Sequence, residues 1–453
     1  MRLRQRAALP IAAIMLALLA LVAACSNDTG VARPNILVIT SDDLGQHLGS
    51  YGDDTVPTPS LDAIAARGTL FSRAYVTAPT CSSSRASFLT GLFPHQNGQL
   101  GLAHSGFTMI EDWPTIPGLL LQQLNYYPAL GGKLHVSPAS AFAFFETNEH
   151  DREDHWSMDI KIVGQKARRY FEQAGDRPFY IQFDLRDPHR PFVASRAGLP
   201  AKPLAEHQVE PFSWSDAGRK ALRADTAAYY NSVARLDAIV GRIMKELREA
   251  GDLENTVVVF WSDNGPPFAR AKTTLYEQGT RVPLIMAGPG IKPGQVRDEL
   301  VSMVDIMPTI LRLTAAELPA VRHPYPGMDL GPLLRGEQVP WREYVFTENT
   351  FHTPTRWTPA RAVTDGKWKL IDNLAAAEAE QRVELYDLAT DPEERVNLAN
   401  RRSQKKRRER LLDLLGKWRA STGDPLLDSA TYHRLDQVHL NPEQPVKPWY
   451  SPR

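Results

Sequence analysis

The chain has 453 residues, room for one large core and a smaller second one, since single cores stop growing at about 250–300 residues. Its 52 Lys and Arg balance 52 Asp and Glu, so no global charge favours a polyanion or nucleic acid, and a positive field for an anionic ligand must be local. With 43% apolar and 23% charged residues, and no repeat, the composition excludes a largely disordered chain.

Arg2, Arg4 and Arg6 precede an apolar run over 9–22, and small residues lead to Cys25, the pattern of a targeting segment outside the fold. Val22-Ala23-Ala24-Cys25 resembles a bacterial lipobox. That implies a signal peptide over 1–25, lipidation of Cys25, a tether over 26–33, and a protein held at the cell envelope facing the periplasm or exterior. An uncleaved anchor and plain secretion are the alternatives. With Cys25 modified, Cys81 has no Cys to pair with, and an unpaired Cys in an oxidising compartment points to chemistry.

Residues 33–40 read as a strand buried on both faces that ends in Ser41-Asp42-Asp43. Adjacent carboxylates at the carboxyl edge of such a strand repel unless a cation lies between them, and a hard divalent ion suits oxygen ligands. A scaffold helix follows over 59–68. Cys81 then opens a helix over 82–88 that Gly91 closes, where free N–H groups and the helix dipole favour an anion. His95, in the loop beyond, reads as structural. Lys133 and His135 fall on one side of an extended segment and suit an anion clamp.

A helix over 159–174 and a strand over 178–184 lead to Asp187-Pro188-His189, with His189 again past a strand end and Asp187 as a turn cap in preference to a group that orients its neighbours. A long helix over 221–250 carries the stripe Tyr229, Val233, Leu236, Val240, Ile243 and Leu247. A second buried strand, 256–261, ends in Ser262-Asp263-Asn264-Gly265. A strand over 282–287 and a helix over 304–313, interrupted or started at Pro308, close this part. Strand and helix alternate up to about residue 320, as in a mostly parallel sheet covered by helices on both faces. Beyond it come short strand-like runs over 343–348, 361–364, 368–371 and 383–386. The basic run 401–408 ahead of Leu411, Leu415 and Trp418 reads as the solvated face of a helix.

Cys-x-x-Ser-Arg-x-x-x-Leu-Thr-Gly, here from Cys81 to Gly91, resembles the signature of the type I sulfatases of the alkaline phosphatase superfamily. The resemblance implies an α/β fold: a catalytic domain over 34–320 with a large, mostly parallel sheet sandwiched by helices, then a C-terminal α+β subdomain with an antiparallel sheet and a helix, and a tail, over 321–453. It implies that Cys81 is oxidised to formylglycine, that its hydrate attacks sulfur, and that Arg85 holds the modified residue. It also implies one calcium ion, with magnesium less favoured, bound by Asp42, Asp43, Asp263 and Asn264 together with residue 81. Two-zinc phosphatases of the superfamily carry His where this chain has Asn264, which argues for a single hard cation. By the same resemblance Lys133 and Lys272 bind the sulfate, His135 contacts the hydrate as a base, and His189 protonates the leaving group. His352 and Arg361 are the expected sugar contacts.

The implied partners are a sulfated saccharide and a maturing enzyme, either formylglycine-generating or of the anaerobic type. Ser83 stands where the family carries Pro, which bears on recognition by the aerobic enzyme and leaves thiol chemistry open. His95-Gln96-Asn97-Gly98, Gly132-Lys133-Leu134-His135, Asp187-Pro188-His189-Arg190 and Lys272-Thr273-Thr274-Leu275-Tyr276 resemble the heparan N-sulfatase branch. That branch implies cleavage of the N-sulfate of a terminal glucosamine in a heparin-type glycan, although Thr353 replaces an acidic residue of that group. The alternatives are an O-sulfatase on another glycan, a phosphonate monoester or phosphodiester hydrolase, and an inactive glycan-binding lipoprotein.

Overall fold

A computed structural model describes residues 33–145, 157–215 and 219–440; the leader, Cys25 and nearly all of the tether lie outside them. The larger sheet has eight strands: β1 (Asn35–Ser41), β2 (Gly68–Tyr75), β3 (Tyr127–Gly132), β4 (Phe179–Leu185), β5 (Thr256–Ser262), β6 (Arg281–Ala287), β7 (Gln295–Arg297) and β8 (Val301–Ser302). Their order is β3-β4-β1-β5-β6-β2-β7, with β8 also paired to β2. Every pairing is parallel except the two made by β6, so the mostly parallel sheet expected from the alternating pattern is present.

The strands are apolar throughout because both faces are covered. On β1, Leu37 and Ile39 enter one core while Ile36 and Val38 enter the other; on β5, Val258 and Phe260 oppose Val257, Val259 and Trp261. The first core is roofed by α1 (Pro59–Ala66), α4 (Ile160–Ala174) and α5 (Arg219–Glu249), the second by α2 (Cys81–Thr90), α3 (Ile116–Leu124) and α6 (Ile306–Thr314). Leu330, Leu333 and Leu334 join the second core, which carries the large layer past residue 320. The stripe predicted on the long helix, from Tyr229 to Leu247, is buried in the first core.

The second sheet is antiparallel, with order β12-β11-β10-β9, from β9 (Val345–Phe351), β10 (Trp357–Thr364), β11 (Trp368–Asn373) and β12 (Val383–Asp387). α7 (Lys405–Thr422) lays Leu411, Leu415 and Trp418 on it, and α8 (Ser429–Leu440) follows. The basic run lies largely exposed at the start of α7, where Arg407 stacks 3.7 Å over Trp368. Among the described residues no helix is long and apolar enough to cross a membrane.

β3, β4, β1 and β5 are mutually parallel neighbours, so their carboxyl ends open on one edge. That edge receives Lys133 and His135, Asp187 and His189, Asp42 and Asp43, and Asp263 and Asn264. The expected turn-cap role for Asp187 is corrected by this packing. Its carboxylate takes two bonds from Arg235 of α5, at 2.6 and 2.7 Å, and Arg235 also donates to the Val193 carbonyl at 2.9 Å. Both side chains are buried, so α5 clamps the His189 loop from two sides. Arg235→Met leaves a buried carboxylate unpaired and is expected to cost about 3–5 kcal/mol. Urea unfolding should show the midpoint fall with little change in slope, and the double change Arg235→Met with Asp187→Leu should recover much of the loss.

Candidate active site

Thr80 is extended and Cys81 begins α2, so the side chain of Cys81 stands at the helix mouth; the helix ends at Gly91, whose φ of 68° is the left-handed conformation that glycine adopts without strain. Ser83, in the first turn, has no intrahelical acceptor for its N–H, so either Ser or Pro suits that position. Around Cys81 the ligand atoms of Asp42, Asp43 and Asp263 all lie within 4.8 Å of one another and of the sulfur. The sulfur is 3.6 Å from Asp42 and 4.0 Å from Asp43. All four side chains are buried.

Three cations hold these carboxylates apart. Arg85 bonds Asp263 at 2.8 Å, Asp184 at 3.1 Å and the Lys133 carbonyl at 2.9 Å. Lys133 Nζ meets Asp42 at 2.7 Å, and Lys272 Nζ meets Asp43 at 2.5 Å. Burial opposes ionisation of Asp42, yet Lys133, His189, Arg85 and Lys272 outweigh it and hold its carboxyl well below the usual range. Asp263 goes the other way: burial and the charge of Asp42 push it up to about 7 against the pull of Arg85. Both lysines stay protonated despite burial, because Asp42 favours the charged form of Lys133 and Asp43 that of Lys272. Burial and Asp263 push the Cys81 thiol up, so the unmodified side chain is neutral and a weak nucleophile.

Two buried oxygens, Asp43 Oδ2 and Asn264 Oδ1, have no hydrogen-bond partner among the described residues. Asn264 Nδ2 donates to Asp43 Oδ1 at 2.7 Å and to the Gly265 carbonyl at 2.9 Å, which turns its own oxygen free. Unpaired buried acceptors beside three crowded carboxylates fit a hard divalent cation held by Asp42, Asp43, Asp263 and Asn264. His189 donates from Nδ1 to the Arg190 carbonyl at 2.5 Å, leaving Nε2 to face the centre, 3.8 Å from Asp43. His135 meets the side chain of His104 at 2.7 Å, and burial with Lys133 and Arg85 holds it well below the usual histidine range, so it is a neutral base.

His352 is near this group. Burial and the charges of Lys272 and Arg356 hold its imidazole down at about 3, and its carbonyl accepts from Leu102, beside the His104 turn, at 3.0 Å. Arg361 is not at the site, which corrects the expected sugar contact: it is fully buried, bonds both oxygens of Asp424 at 2.9 Å and lies 3.3 Å from Glu348. Its guanidinium fastens β9 and β10 to the turn after α7. His95 is likewise buried, with Nδ1 at 2.6 Å from Glu348, in keeping with its structural reading.

Sequence reasoning passed over Asp184 and His104. Asp184 alternates with Gln182 along β4, and polar residues with period two inside a buried strand are the signal that finds it. His104 sits in a polar turn with no periodicity to mark it.

A buried nucleophile position, a hard-cation cluster and two lysines at the carboxyl edge of a parallel sheet define a metal-assisted hydrolase for a tetrahedral oxyanion. The chain belongs to the sulfatase family, whose description "Sulfatase" matches residues 34–316. "N-sulphoglucosamine sulphohydrolase, C-terminal" matches residues 270–421. The human N-sulphoglucosamine sulphohydrolase is 32% identical over 87% of this chain and 91% of its own length. A choline-sulfatase of Rhizobium meliloti is 27% identical over 81% of this chain and 82% of its own. The structure of a 2-O GAG sulfatase superposes with a TM-score of 0.71 at 25% identity, covering 87% of this chain and 93% of that one.

Two outcomes check the site. Chelation of divalent ions should lower the melting temperature of the wild-type protein, and Asn264→Ala should weaken that response, because the carboxylates repel once the cation is gone. Arg361→Met should lower the melting temperature by the loss of a buried ion pair, about 3–5 kcal/mol, while KM at a permissive temperature stays within about twofold; a large KM rise would restore the sugar contact.

Proposed function

We propose that this sulfatase releases sulfate from a sulfated saccharide through formylglycine formed at position 81, and that its substrate is the N-sulfate of a terminal glucosamine in a heparin-type glycan. The observation that carries the chemistry is the buried Cys81 at the mouth of α2, grouped with Asp42, Asp43 and Asp263 whose partners are Lys133, Lys272 and Arg85, a place where a hydrated aldehyde would be held by Arg85 and its neighbours. The substrate reading is supported by the C-terminal match and by the similarity to the human N-sulphoglucosamine sulphohydrolase.

The cation is calcium on this reading, since a cage of three carboxylates and an amide oxygen suits a hard ion that accepts irregular oxygen sets. When bound, it supplies charge neutralisation to the sulfate and to the residue 81 hydroxyl. Lys133 and Lys272 neutralise the remaining sulfate oxygens, and His189 Nε2 delivers a proton to the bridging nitrogen or oxygen, a step a poor leaving group requires. His135 receives a proton from the centre. His352, neutral and beside the lysines, contacts the sugar. Upstream, lipidation at Cys25 would hold the enzyme at the cell envelope, a proposal that rests on Val22-Ala23-Ala24-Cys25.

The deciding measurement has two parts. The tryptic peptide over 74–85 should be lighter than its Cys form by the loss of one sulfur and two hydrogens and the gain of one oxygen. The protein should also release sulfate from N-sulfoglucosamine in preference to O-sulfated sugars and aryl phosphonates. Lys272→Ala should lose about 3 kcal/mol of transition-state stabilisation, near two orders of magnitude in kcat/KM. A Cys-only peptide with no turnover would overturn the formylglycine reading, and preference for an O-sulfate would overturn the substrate.

A further inference from the structure

His104 lies on the short turn Ala103–Ser105, which the α2 helix holds in place: Ser82 Oγ, next to Cys81, accepts from the Ala103 N–H at 3.0 Å. Its ring faces solvent on one side and His135 on the other, with Nδ1 of His104 2.7 Å from Nε2 of His135. The ring planes differ by 6° and the centroids are 4.9 Å apart, the arrangement of two imidazoles joined edge to edge through one proton. His135 Nδ1 is buried and has no partner among the described residues.

That orphan favours one tautomer. An N–H at Nδ1 would be a buried donor without an acceptor, the costlier defect, so the proton belongs on Nε2, which donates to His104 Nδ1. His104 then carries its own proton on Nε2, toward water. We propose that His104 is a positioning residue that fixes His135 as a base at Nδ1 and relays the proton His135 takes from the reaction centre out to solvent. The inference rests on the sulfatase reading of the site.

The step balances without redox change. An O–H bond at the residue 81 hydroxyl breaks and an N–H bond forms at His135 Nδ1. The Nε2 proton of His135 passes to His104 Nδ1, and His104 gives its Nε2 proton to water. Exposure sets the direction. Lys133 faces both rings, Arg85 and Asp42 lie near His135, and His352 lies near His104. His104 is the exposed ring of the two and His135 the inner one, so a proton passed along the pair travels outward. Without the second ring, the proton would leave His135 against the field of Lys133 with no acceptor in contact.

His104→Gln separates relay from orientation, because a glutamine oxygen can still accept from His135 Nε2 but cannot pass a proton on. On matured enzyme, His104→Gln should lower kcat by about tenfold or more with KM within about twofold, and added imidazole should restore much of the kcat of His104→Ala. Nitrogen-15 NMR of the wild-type protein should show one strongly deshielded imidazole proton that disappears in His104→Ala. Wild-type kcat in His104→Gln, or absence of the deshielded proton, would overturn the relay while leaving the sulfatase intact. A wild-type protein that matures but releases no sulfate would instead overturn the reading of the site.

Discussion

Like charges forced together at one sheet edge are the constraint on which the rest of the structure turns. Asp42, Asp43 and Asp263 sit buried around Cys81 with Asp184 paired to Arg85, and Arg85, Lys133 and Lys272 supply three positive charges against these four carboxyl groups. A divalent cation would favour ionisation of all four, Asp263 included, and still leave one positive charge in excess, the sign an anionic substrate needs. The fold delivers the carboxylates through parallel neighbours, so no loop has to be long, and helix α2 brings Cys81 and Arg85 into the cluster as one rigid piece. Isolated buried charges would cost far more than such a fold can offset; paired, they leave only a few orphaned atoms, Asp43 Oδ2 and Asn264 Oδ1 among them, on the side where a cation fits.

The smaller sheet takes part in that balance. Lys369 of β11 reaches Glu277 at 2.9 Å and Glu394 at 3.8 Å, and the Glu277 N–H donates to Glu394 at 2.6 Å. Arg270 donates to the Glu393 carbonyl at 3.3 Å. Lys272 therefore sits on a loop whose flanks are both bound to the 391–398 segment, and its position opposite Asp43 depends on the C-terminal subdomain. β9 extends the same support to the nucleophile, since the Glu348 N–H donates to the Thr77 carbonyl at 2.8 Å and Thr80 Oγ1 lies 3.4 Å from Asn349.

How much of this was legible follows from where each signal lies. β1 and β5 are continuous, largely apolar runs that stop at Asp42-Asp43 and Asp263-Asn264, so local sequence shows both the strand and the ligands at its end. β2 went unread because Ser72-Arg73 breaks its apolar run at the register shift between Phe71 and Ala74. The preferred role for Asp187 and the role of Arg361 failed for a common reason: each is defined by a distant partner, Arg235 or Asp424, and pairing at such sequence separation leaves no local trace. The leader and Cys25 fall outside the described residues, so that part of the reading stands on sequence alone.

The division between chemistry and specificity follows the same line. The groups that handle charge and protons, Arg85, Lys133, His189 and Lys272, are each tied by an ion pair, a hydrogen bond to backbone or a helix, and their freedom is small. His352 and His104 differ: both are on turns at the rim, both are neutral, and Leu102 joins them through its N–H to the His352 carbonyl. A neutral imidazole beside protonated lysines does not compete with them for an anion. A charged centre fixed at the sheet edge and turns that carry no ion pair with it can change independently, because altering such a turn leaves the electrostatics of the centre untouched.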